Sequence, residues 1–335
     1  MKPLLVTASL TANALTALAE LGYAVGAGPS PDAVGWILEG EPCGGPELDA
    51  MPSLRFVACV RGGPVNVDIG AATRRGIPVL YAPGRNAESV ADFVIGQIIA
   101  LVRHIAQAHH LLRSGILTEA RETRVRERAD VVWRPSDPQA PIPYHVFRGP
   151  ELRMLTLGLL GLGRVGERVA AKALALEMRV IAHDPYVTET APPISAVRLV
   201  DRDELLADCD VLSLHARGDR VLIGAPELRA MRRGAFLVNT ARGAILDPDA
   251  LLAALLDGRL GGAALDVFPD EPLTPDDPLL DLDNVLLTPH IAGASLHVID
   301  HYSDSLVRTL RALHGLGDVS DAAVANPETL AGWTP

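Results

Sequence analysis

Three residues with acid–base or anion-binding side chains follow apolar segments in the second half of the sequence. Arg242 follows AFLVNTA, Glu271 comes shortly after GAALDVF, and His290 ends VLLTPH. An imidazole titrates near neutral pH and can donate or accept a proton, whereas a guanidinium presents a planar pair of donors to a carboxylate. Each residue alone has a simpler explanation, as a loop histidine, a structural ion pair or a solvated carboxylate. Together they indicate proton transfer beside a bound carboxylate.

A glycine-rich stretch indicates what else binds near them. Residues 158–170 read GLLGLGRVGERVA, in which Gly161, Gly163 and Gly166 form the pattern GxGxxG. The apolar run before the glycines predicts a buried strand, and the residues after them predict a helix. At such a turn the missing Cβ atoms let the backbone approach a pyrophosphate, which the helix N-terminus attracts. The alternative is a tight turn that binds no ligand.

Asp184 strengthens the prediction of a dinucleotide site. It ends VIAHD, the next predicted strand, 18 positions after Gly166 (184 − 166). At that place a carboxylate can accept hydrogen bonds from the ribose hydroxyls of an adenosine. A 2′-phosphate there would meet a like charge, at a cost of roughly 1 to 4 kcal/mol by Coulomb's law. We therefore expect NAD rather than NADP as the cofactor.

The predicted strands place these groups along one edge of a sheet. In an open parallel sheet, ligands bind outside the carboxyl ends of the strands. Five consecutive predicted strands deliver charged or imidazole side chains to that edge: Asp184, His215, Arg242, Asp266 with Glu271, and His290. Beside a nicotinamide, His290 would protonate a carbonyl oxygen during hydride transfer, and Glu271 would orient the imidazole. Arg242 would bind the adjacent carboxylate and hold the carbonyl in place.

The composition is that of two globular domains with no polyanionic partner. The 335 residues exceed one usual domain, and a hydrophobic content of 48% supplies two cores. The formal charge of −11 disfavours nucleic acid and anionic membranes. Cys43, Cys59 and Cys209 lack metal-site spacing, so we expect buried thiols and no metal. No apolar run reaches the roughly 18 residues of a membrane span, so we expect a cytoplasmic protein.

Apolar segments alternate with helical patterns in both halves, which predicts parallel sheets with crossover helices. Between the halves, residues 86–112 predict one long helix that is apolar around most of its circumference. Residues 113–150 are rich in charge and proline, with Trp133, Tyr144 and Phe147 as anchors. They predict a long surface excursion, such as an arm that contacts a partner subunit. Since only the second half carries the glycine pattern, we expect the first half to bind the substrate.

Four ordered segments resemble the signature blocks of the NAD-dependent D-isomer-specific 2-hydroxyacid dehydrogenases: LGLLGLGRVG, LVNTARG, GAALDVFPDEPL and LTPHIAGAS. A fifth segment, ATRRGIPVLYAPGRNAESVAD, resembles the substrate-lobe block of that family. The resemblance implies an α/β fold with two doubly wound parallel sheets. A Rossmann NAD-binding domain, residues 105–295, would be inserted into a flavodoxin-like substrate domain, residues 1–104 and 296–335. It also implies a homodimer that acts on a D-2-hydroxy acid or the corresponding 2-keto acid.

The resemblance further implies roles for individual residues. The catalytic arginine, glutamate and histidine of the family fall on Arg242, Glu271 and His290, in agreement with the chemical interpretation. The cofactor contacts of the family fall on Gly161, Gly163 and Gly166, on Arg164 and Val165 at the pyrophosphate, on Asp184 at the ribose, on Thr240 and Ala241 near the nicotinamide, on Asp266 at the carboxamide, and on His215 and Gly293. The segment LHARGDRVLIG, which contains His215, is shorter than its counterpart in the family.

The segment CVRGGPVNVD departs from the family pattern. Relatives have small residues and a glycine pair whose N–H groups bind the substrate carboxylate, whereas this chain has Arg61 before Gly62 and Gly63. We predict that these three residues bind the substrate. Arg61 would serve an additional anionic group, such as a phosphate or a second carboxylate. An ion pair between Arg61 and a nearby acid is the simpler alternative.

An NAD(H)-sensing regulatory protein on the same scaffold is the alternative from another functional class. The acidic charge and the absence of a charged tail disfavour it. Two related enzyme classes also fit poorly. Formate dehydrogenases have a glutamine at the position of Glu271, and phosphite dehydrogenases have a lysine in the region of Gly62.

Overall fold

The computed structural model describes residues 1–26, 28, 30–118, 139–318 and 322–334. The chain divides into two compact units, one of Met1–Asn86 with Ala294–Pro335 and one of Ala87–Gly293. Each unit holds one sheet, and all paired strands in both sheets are parallel. The predicted fold class, with two parallel-sheet α/β units, is confirmed.

The first unit has five strands and four α-helices among its described residues. The strands are β1 (Lys2–Val6), β2 (Tyr23–Val25), β3 (Gly35–Leu38), β4 (Phe56–Cys59) and β5 (Val79–Tyr81). The helices are α1 (Ala12–Glu20), α2 (Gly45–Asp49), α3 (Ile69–Arg74) and α11 (Val298–Leu313). The sheet order is β2-β1-β3-β4-β5, the flavodoxin-like arrangement. Every residue of β3 and β4 is buried, as expected for strands covered on both faces.

The second unit carries seven strands and seven α-helices in its described part. The strands are β6 (Thr156–Leu160), β7 (Arg179–His183), β8 (Arg198–Leu199), β9 (Val211–Leu214), β10 (Ala235–Asn239), β11 (Leu260–Leu265) and β12 (Val285–Leu287). The helices are α4 (Ala87–Val102), α5 (Ile105–Arg113), α6 (Pro143–Val146), α7 (Arg164–Ala175), α8 (Arg202–Asp208), α9 (Ala225–Ala230) and α10 (Pro248–Leu256). The sheet order is β12-β11-β10-β9-β6-β7-β8, so the direction of winding switches between β6 and β9. Such a switch point opens a crevice at the carboxyl ends of the strands.

Local sequence signals explain where several helices begin. Four helices start after a threonine or aspartate whose side chain accepts an N–H from the first turn: Thr11, Asp68, Asp201 and Asp247. In the second unit, Leu157 and Leu159 of β6 pack in one core with Val169 of α7. Leu212 of β9 packs in a second core with Leu205 of α8. Both faces of the sheet are therefore covered, and a ligand can reach the sheet only at the ends of its strands.

The predicted single helix over residues 86–112 is wrong. Helix α4 ends at Val102 and α5 begins at Ile105, with the two axes bent by 66°. His104, between them, has φ +54°, a left-handed conformation that a continuous right-handed helix does not contain. Among the described residues, only this bent pair has the length and apolarity of a membrane span, and no single helix does.

The two units divide at 86/87 and 293/294, whereas the sequence predicted divisions at 104/105 and 295/296. The main difference is α4, which packs against α7, β10 and β11 of the second unit. In the predicted excursion over residues 113–150, residues 119–138 with Trp133 lie outside the described residues. The arm contact and the homodimer stay predictions.

Candidate active site

The glycine turn between β6 and α7 has the shape of a phosphate cradle. Gly161 has φ +99°, and a Cβ there would lie 2.8 Å from the backbone nitrogen of Ala216. At Gly166 a Cβ would lie 2.4 Å from the carbonyl oxygen of Gly161, so both glycines are required for close packing. A Cβ at Gly163, in contrast, would meet nothing within 4 Å. The open space at Gly163 is where a ligand can approach the backbone.

The start of α7 is suited to an anion. Its N-cap, Gly163, supplies no side chain to the free N–H groups of the first turn. Arg164 is exposed and Val165 is half-buried in that turn. A pyrophosphate placed here would be bound by the N–H groups and by the positive end of the helix dipole. The cradle and the uncapped helix therefore fit a dinucleotide.

Asp184 follows β7 beside the glycine turn. Its Oδ2 accepts the N–H of Leu162 at 2.8 Å and its Oδ1 accepts the N–H of Tyr186 at 2.9 Å. These bonds hold the carboxylate in one orientation, and each oxygen keeps a lone pair. The fixed carboxylate of Asp184 therefore fits the predicted contact with ribose hydroxyls.

His290 and Glu271 form a close pair, as the sequence predicted. The Nδ1 atom of His290 lies 2.7 Å from Oε2 of Glu271, and Oε1 of Glu271 accepts the N–H of Phe268 at 2.9 Å. The His290 ring, that N–H and the nearby charge of Arg242 hold the pKa of Glu271 below its usual value. The carboxylate therefore stays ionised at neutral pH beside the imidazole.

An open pocket of about 460 Å³ borders this pair. Five of its lining residues are apolar and three are polar: Phe268, Pro272, Leu273, Leu287 and Pro289 with Glu271, Thr288 and His290. The side chain of His290 is 53% exposed, so the imidazole is accessible from the pocket side. The arrangement places one acid–base pair at the wall of a mostly apolar pocket.

Residues after β10 are held by a buried asparagine. Asn239 accepts the N–H of Ala241 at 3.0 Å and donates to the carbonyl of Arg242 at 2.9 Å. One nitrogen of the exposed Arg242 guanidinium donates to the Ala241 carbonyl at 2.6 Å, which leaves its other donors free for a ligand. The hydroxyl oxygen of Thr240 is buried and has no hydrogen-bond partner among the described residues. Such an orphaned hydroxyl fits the predicted contact with a nicotinamide.

Asp266, the predicted contact of the nicotinamide carboxamide, is bonded to the turn that follows β12. Its side chain is fully buried, and its carboxylate accepts the Thr288 hydroxyl at 2.6 Å and the N–H groups of Ile291 and Ala292 at 2.9 and 2.7 Å. Both oxygens thus hold the turn that carries His290. Gly293 lies directly after this turn and is the last residue of the second unit.

His215 follows β9, and its ring points back towards the sheet. Its Nε2 lies 2.9 Å from the hydroxyl of Ser213, and burial lowers the pKa of the imidazole to about 4. A neutral imidazole here cannot act as a cation towards a phosphate. The backbone of His215 contributes to the cradle, because the carbonyl carbon of His215 would lie 2.8 Å from a Cβ at Gly161.

The predicted substrate residues Arg61, Gly62 and Gly63 follow β4 in the first unit. A Cβ at either glycine would meet no atom within 4 Å. Arg61 is half-buried and makes no ion pair with any of the described acids. The simpler alternative for Arg61 therefore finds no support in the described part of the chain. In that same part, no group of three or more histidines, cysteines or acids could hold a metal ion.

The low pKa of His215 predicts acid sensitivity of the second unit. The native imidazole has a pKa of about 4 against its ordinary value of 6.5, so between these pH values the unfolded chain binds more protons. The contribution of His215 to the free energy of unfolding is therefore present above pH 6.5 and is lost as the pH falls towards 4. The loss is about 2 kcal/mol between pH 7 and pH 5. Urea titrations at both pH values should show this loss in the wild type and a smaller loss in His215→Gln.

The exposed His110 supplies the control, because His110→Gln should behave as the wild type. Glu271 has a lowered pKa, so it changes the free energy of unfolding only below the usual carboxyl value of 4.5. It does not contribute between pH 7 and pH 5. His314 also has a pKa lowered by burial, but it lies in the first unit and is present in every variant. An equal pH dependence in wild type and His215→Gln would contradict the burial argument.

Comparison with known proteins identifies the family of the chain. The profile of the D-isomer specific 2-hydroxyacid dehydrogenase NAD-binding domain matches residues 95–292. A glyoxylate reductase of Thermofilum pendens is 35% identical over 289 residues, covering 84% of this chain and 78% of that protein. A D-3-phosphoglycerate dehydrogenase of Archaeoglobus fulgidus is 39% identical over 251 residues, covering 74% of this chain and 43% of that protein.

Among solved structures, the TT0316 protein from Thermus thermophilus aligns with a TM-score of 0.73 at 33% identity, over 96% of this chain and 99% of that one. The family profile covers more than half of the chain, and the likeness extends over both units. The chain belongs to the D-isomer specific 2-hydroxyacid dehydrogenases, a family of oxidoreductases that use a nicotinamide cofactor.

Proposed function

We propose that the protein interconverts a 2-keto acid and a D-2-hydroxy acid by hydride transfer with NAD(H), with His290 as general acid and base. The observation that carries this proposal is the 2.7 Å hydrogen bond between His290 and the ionised Glu271, at the same sheet edge as the phosphate cradle. When bound, the nicotinamide supplies or accepts the hydride. The residues of the chain supply the proton and the orientation.

The direction of the hydrogen bond assigns the reactive nitrogen. A carboxylate only accepts, so the proton between the two side chains sits on Nδ1 of His290. The opposite nitrogen, Nε2, is then the atom that gives a proton to the carbonyl oxygen in reduction and removes it in oxidation. The bond from Nδ1 to Glu271 fixes the orientation of the imidazole ring.

Arg242 is proposed to bind the substrate carboxylate. It lies close enough to Glu271 for its charge to lower the pKa of that carboxyl, and only one of its donors is used within the described part of the chain. A guanidinium holds a carboxylate through two parallel hydrogen bonds and fixes the adjacent carbonyl. The position of the carbonyl relative to His290 then depends on the loop that Asn239 holds.

Asp184 is proposed to select NAD over NADP. Its carboxylate is fixed by two backbone N–H groups and would lie beside a 2′-phosphate. We expect kcat/KM with NADH to exceed that with NADPH by about tenfold or more in the wild type, since the repulsion costs roughly 1 to 4 kcal/mol. Asp184→Asn, which keeps the shape without the charge, should narrow the ratio. An unchanged ratio in Asp184→Asn would assign the preference to another residue.

Replacement of His290 tests the catalytic assignment. In His290→Ala, kcat for NADH-dependent reduction of glyoxylate or hydroxypyruvate should fall by about 10² to 10⁴-fold, the usual contribution of general acid–base catalysis. The Kd for NADH, measured by fluorescence, should stay near the wild-type value. His110→Ala is the matched control and should keep full turnover. A wild-type protein that binds NADH but reduces none of the 2-keto acids would instead support the NAD(H)-sensing alternative.

Arg61 is proposed to recognise a second anionic group on the substrate. Among the described residues it is an unpaired, half-buried guanidinium at the carboxyl end of β4, next to two glycines with open space at their Cβ positions. An unpaired, partly desolvated cation is costly unless a ligand compensates it. The similarity to a D-3-phosphoglycerate dehydrogenase, whose substrate name includes a phosphate, agrees with this assignment.

Arg61→Ala should therefore change substrate preference. The KM for phosphohydroxypyruvate should rise by about 10- to 100-fold, as expected for loss of a charge-assisted hydrogen bond. The KM for glyoxylate, which has no second anionic group, should change little. Arg74→Ala, which removes an exposed arginine of the same unit, should leave both values unchanged. Equal effects of Arg61→Ala on both substrates would discard the specificity role.

A further inference from the structure

Gln97 is a buried amide on an otherwise apolar helix face. Its side chain is 4% exposed. The other buried residues of α4 are all apolar: Ala87, Val90, Ala91, Val94, Ile98, Leu101 and Val102. Burying an amide is unfavourable unless its hydrogen bonds are made, and the Gln97 carbonyl oxygen has no partner among the described residues. A leucine would suit this face better, so the position of the amide calls for another explanation.

The amide nitrogen of Gln97 begins a chain of hydrogen bonds. It lies 3.3 Å from the hydroxyl oxygen of Thr288, which lies 2.6 Å from Oδ1 of Asp266. Because a carboxylate only accepts, the Thr288 hydroxyl donates to Asp266 and its oxygen accepts from Gln97. The direction of each bond is thereby fixed, and Gln97 orients the hydroxyl that completes the Asp266 site.

This chain ends at the turn that carries His290. Asp266 accepts the N–H groups of Ile291 and Ala292, and the N–H of His290 bonds the Thr288 carbonyl at 3.0 Å. His290 itself has φ +55°, an unfavourable conformation for a residue other than glycine. Such a conformation persists only where the surrounding contacts determine it. The contacts here are those of Thr288 and Asp266.

We propose that Gln97 is a positioning residue for His290 that acts through Thr288 and Asp266. Gln97 is buried and does not line the pocket beside His290. It holds the Thr288 hydroxyl towards Asp266, and this keeps the strained turn in the geometry in which His290 meets Glu271. The inference rests on the proposed role of His290 and extends the machinery to α4, a helix outside the carboxyl edge of the sheet.

The test is to separate activity from stability in Gln97→Leu. This variant removes the donor and the orphaned oxygen, so its thermal midpoint should equal or exceed that of the wild type. The single-turnover rate of NADH oxidation with glyoxylate should nevertheless fall by about fivefold, the equivalent of one hydrogen bond of about 1 kcal/mol. The Kd for NADH should not change. Val94→Ala, on the same buried face, should lower the thermal midpoint and leave the rate unchanged.

Thr288 supplies a second route to the same result. Thr288→Val removes the hydroxyl and should lower the rate at least as much as Gln97→Leu, whereas Thr288→Ser keeps the hydroxyl and should lose less. The double variant Gln97→Leu with Thr288→Val should be no slower than Thr288→Val alone, because both act on one chain of bonds. Additive losses would overturn the proposal.

Combination with His290→Ala distinguishes this inference from the proposed function. If Gln97 acts through His290, Gln97→Leu should slow the wild type but not the residual reaction of His290→Ala. A fivefold loss in both backgrounds, or no loss in the wild type, would overturn the positioning role while His290 remains the acid. Full turnover in His290→Ala alone would instead overturn the proposed function itself.

Discussion

The whole candidate site depends on one constraint, that every strand of the second unit runs in the same direction. Each connection must return from the carboxyl edge to the amino edge, so the residues directly after successive strands are brought to one edge. The glycine turn follows β6, Asp184 follows β7, and Arg242 and His290 follow β10 and β12. A reversed strand would move the residue after it to the opposite edge of the sheet. The strand directions therefore determine which residues can meet at the site.

The buried polar side chains of the second unit are concentrated beneath this edge of the sheet. Among its described residues they are Gln97, Thr156, Ser213, Asn239 and Asp266. Ser213 contacts His215, Asn239 holds the loop of Arg242, and Asp266 with Gln97 holds the turn of His290. Of these five, only Thr156, at the start of β6, lies at the opposite end of the strands. Hydrogen bonds therefore hold the loops at this edge. Unlike apolar packing, they fix the orientation of the groups that they join.

The periodicity of apolar residues was enough to predict the two parallel sheets, because the pattern repeats strand by strand. The pairing of Glu271 with His290 was predicted from the chemistry of two side chains expected at one edge of the sheet. The break at His104 was not predictable, because the apolar pattern continues through it and the left-handed residue is not a glycine. Strands β2 and β8, of three and two residues, were not among the predicted strands. The bonds of Asp266 to the His290 turn were not predicted, since sequence position gives the edge of the sheet but not the direction of a side chain.

Gln97 and Thr288 show a further limit of reading sequence by residue type. A lone amide within AESVADFVIGQIIALV indicates only one irregularity in a core helix, and a threonine before a proline indicates only the end of a strand. The role proposed for these two residues depends on a contact between positions 191 residues apart in the sequence. The apolar pattern that identifies α4 as a core helix also conceals the residue of α4 whose amide bonds Thr288. For a site built on loops at one edge of a sheet, the side chains that give the chemistry can be found from strand ends, whereas those that hold the chemistry in place must be found from the core beneath.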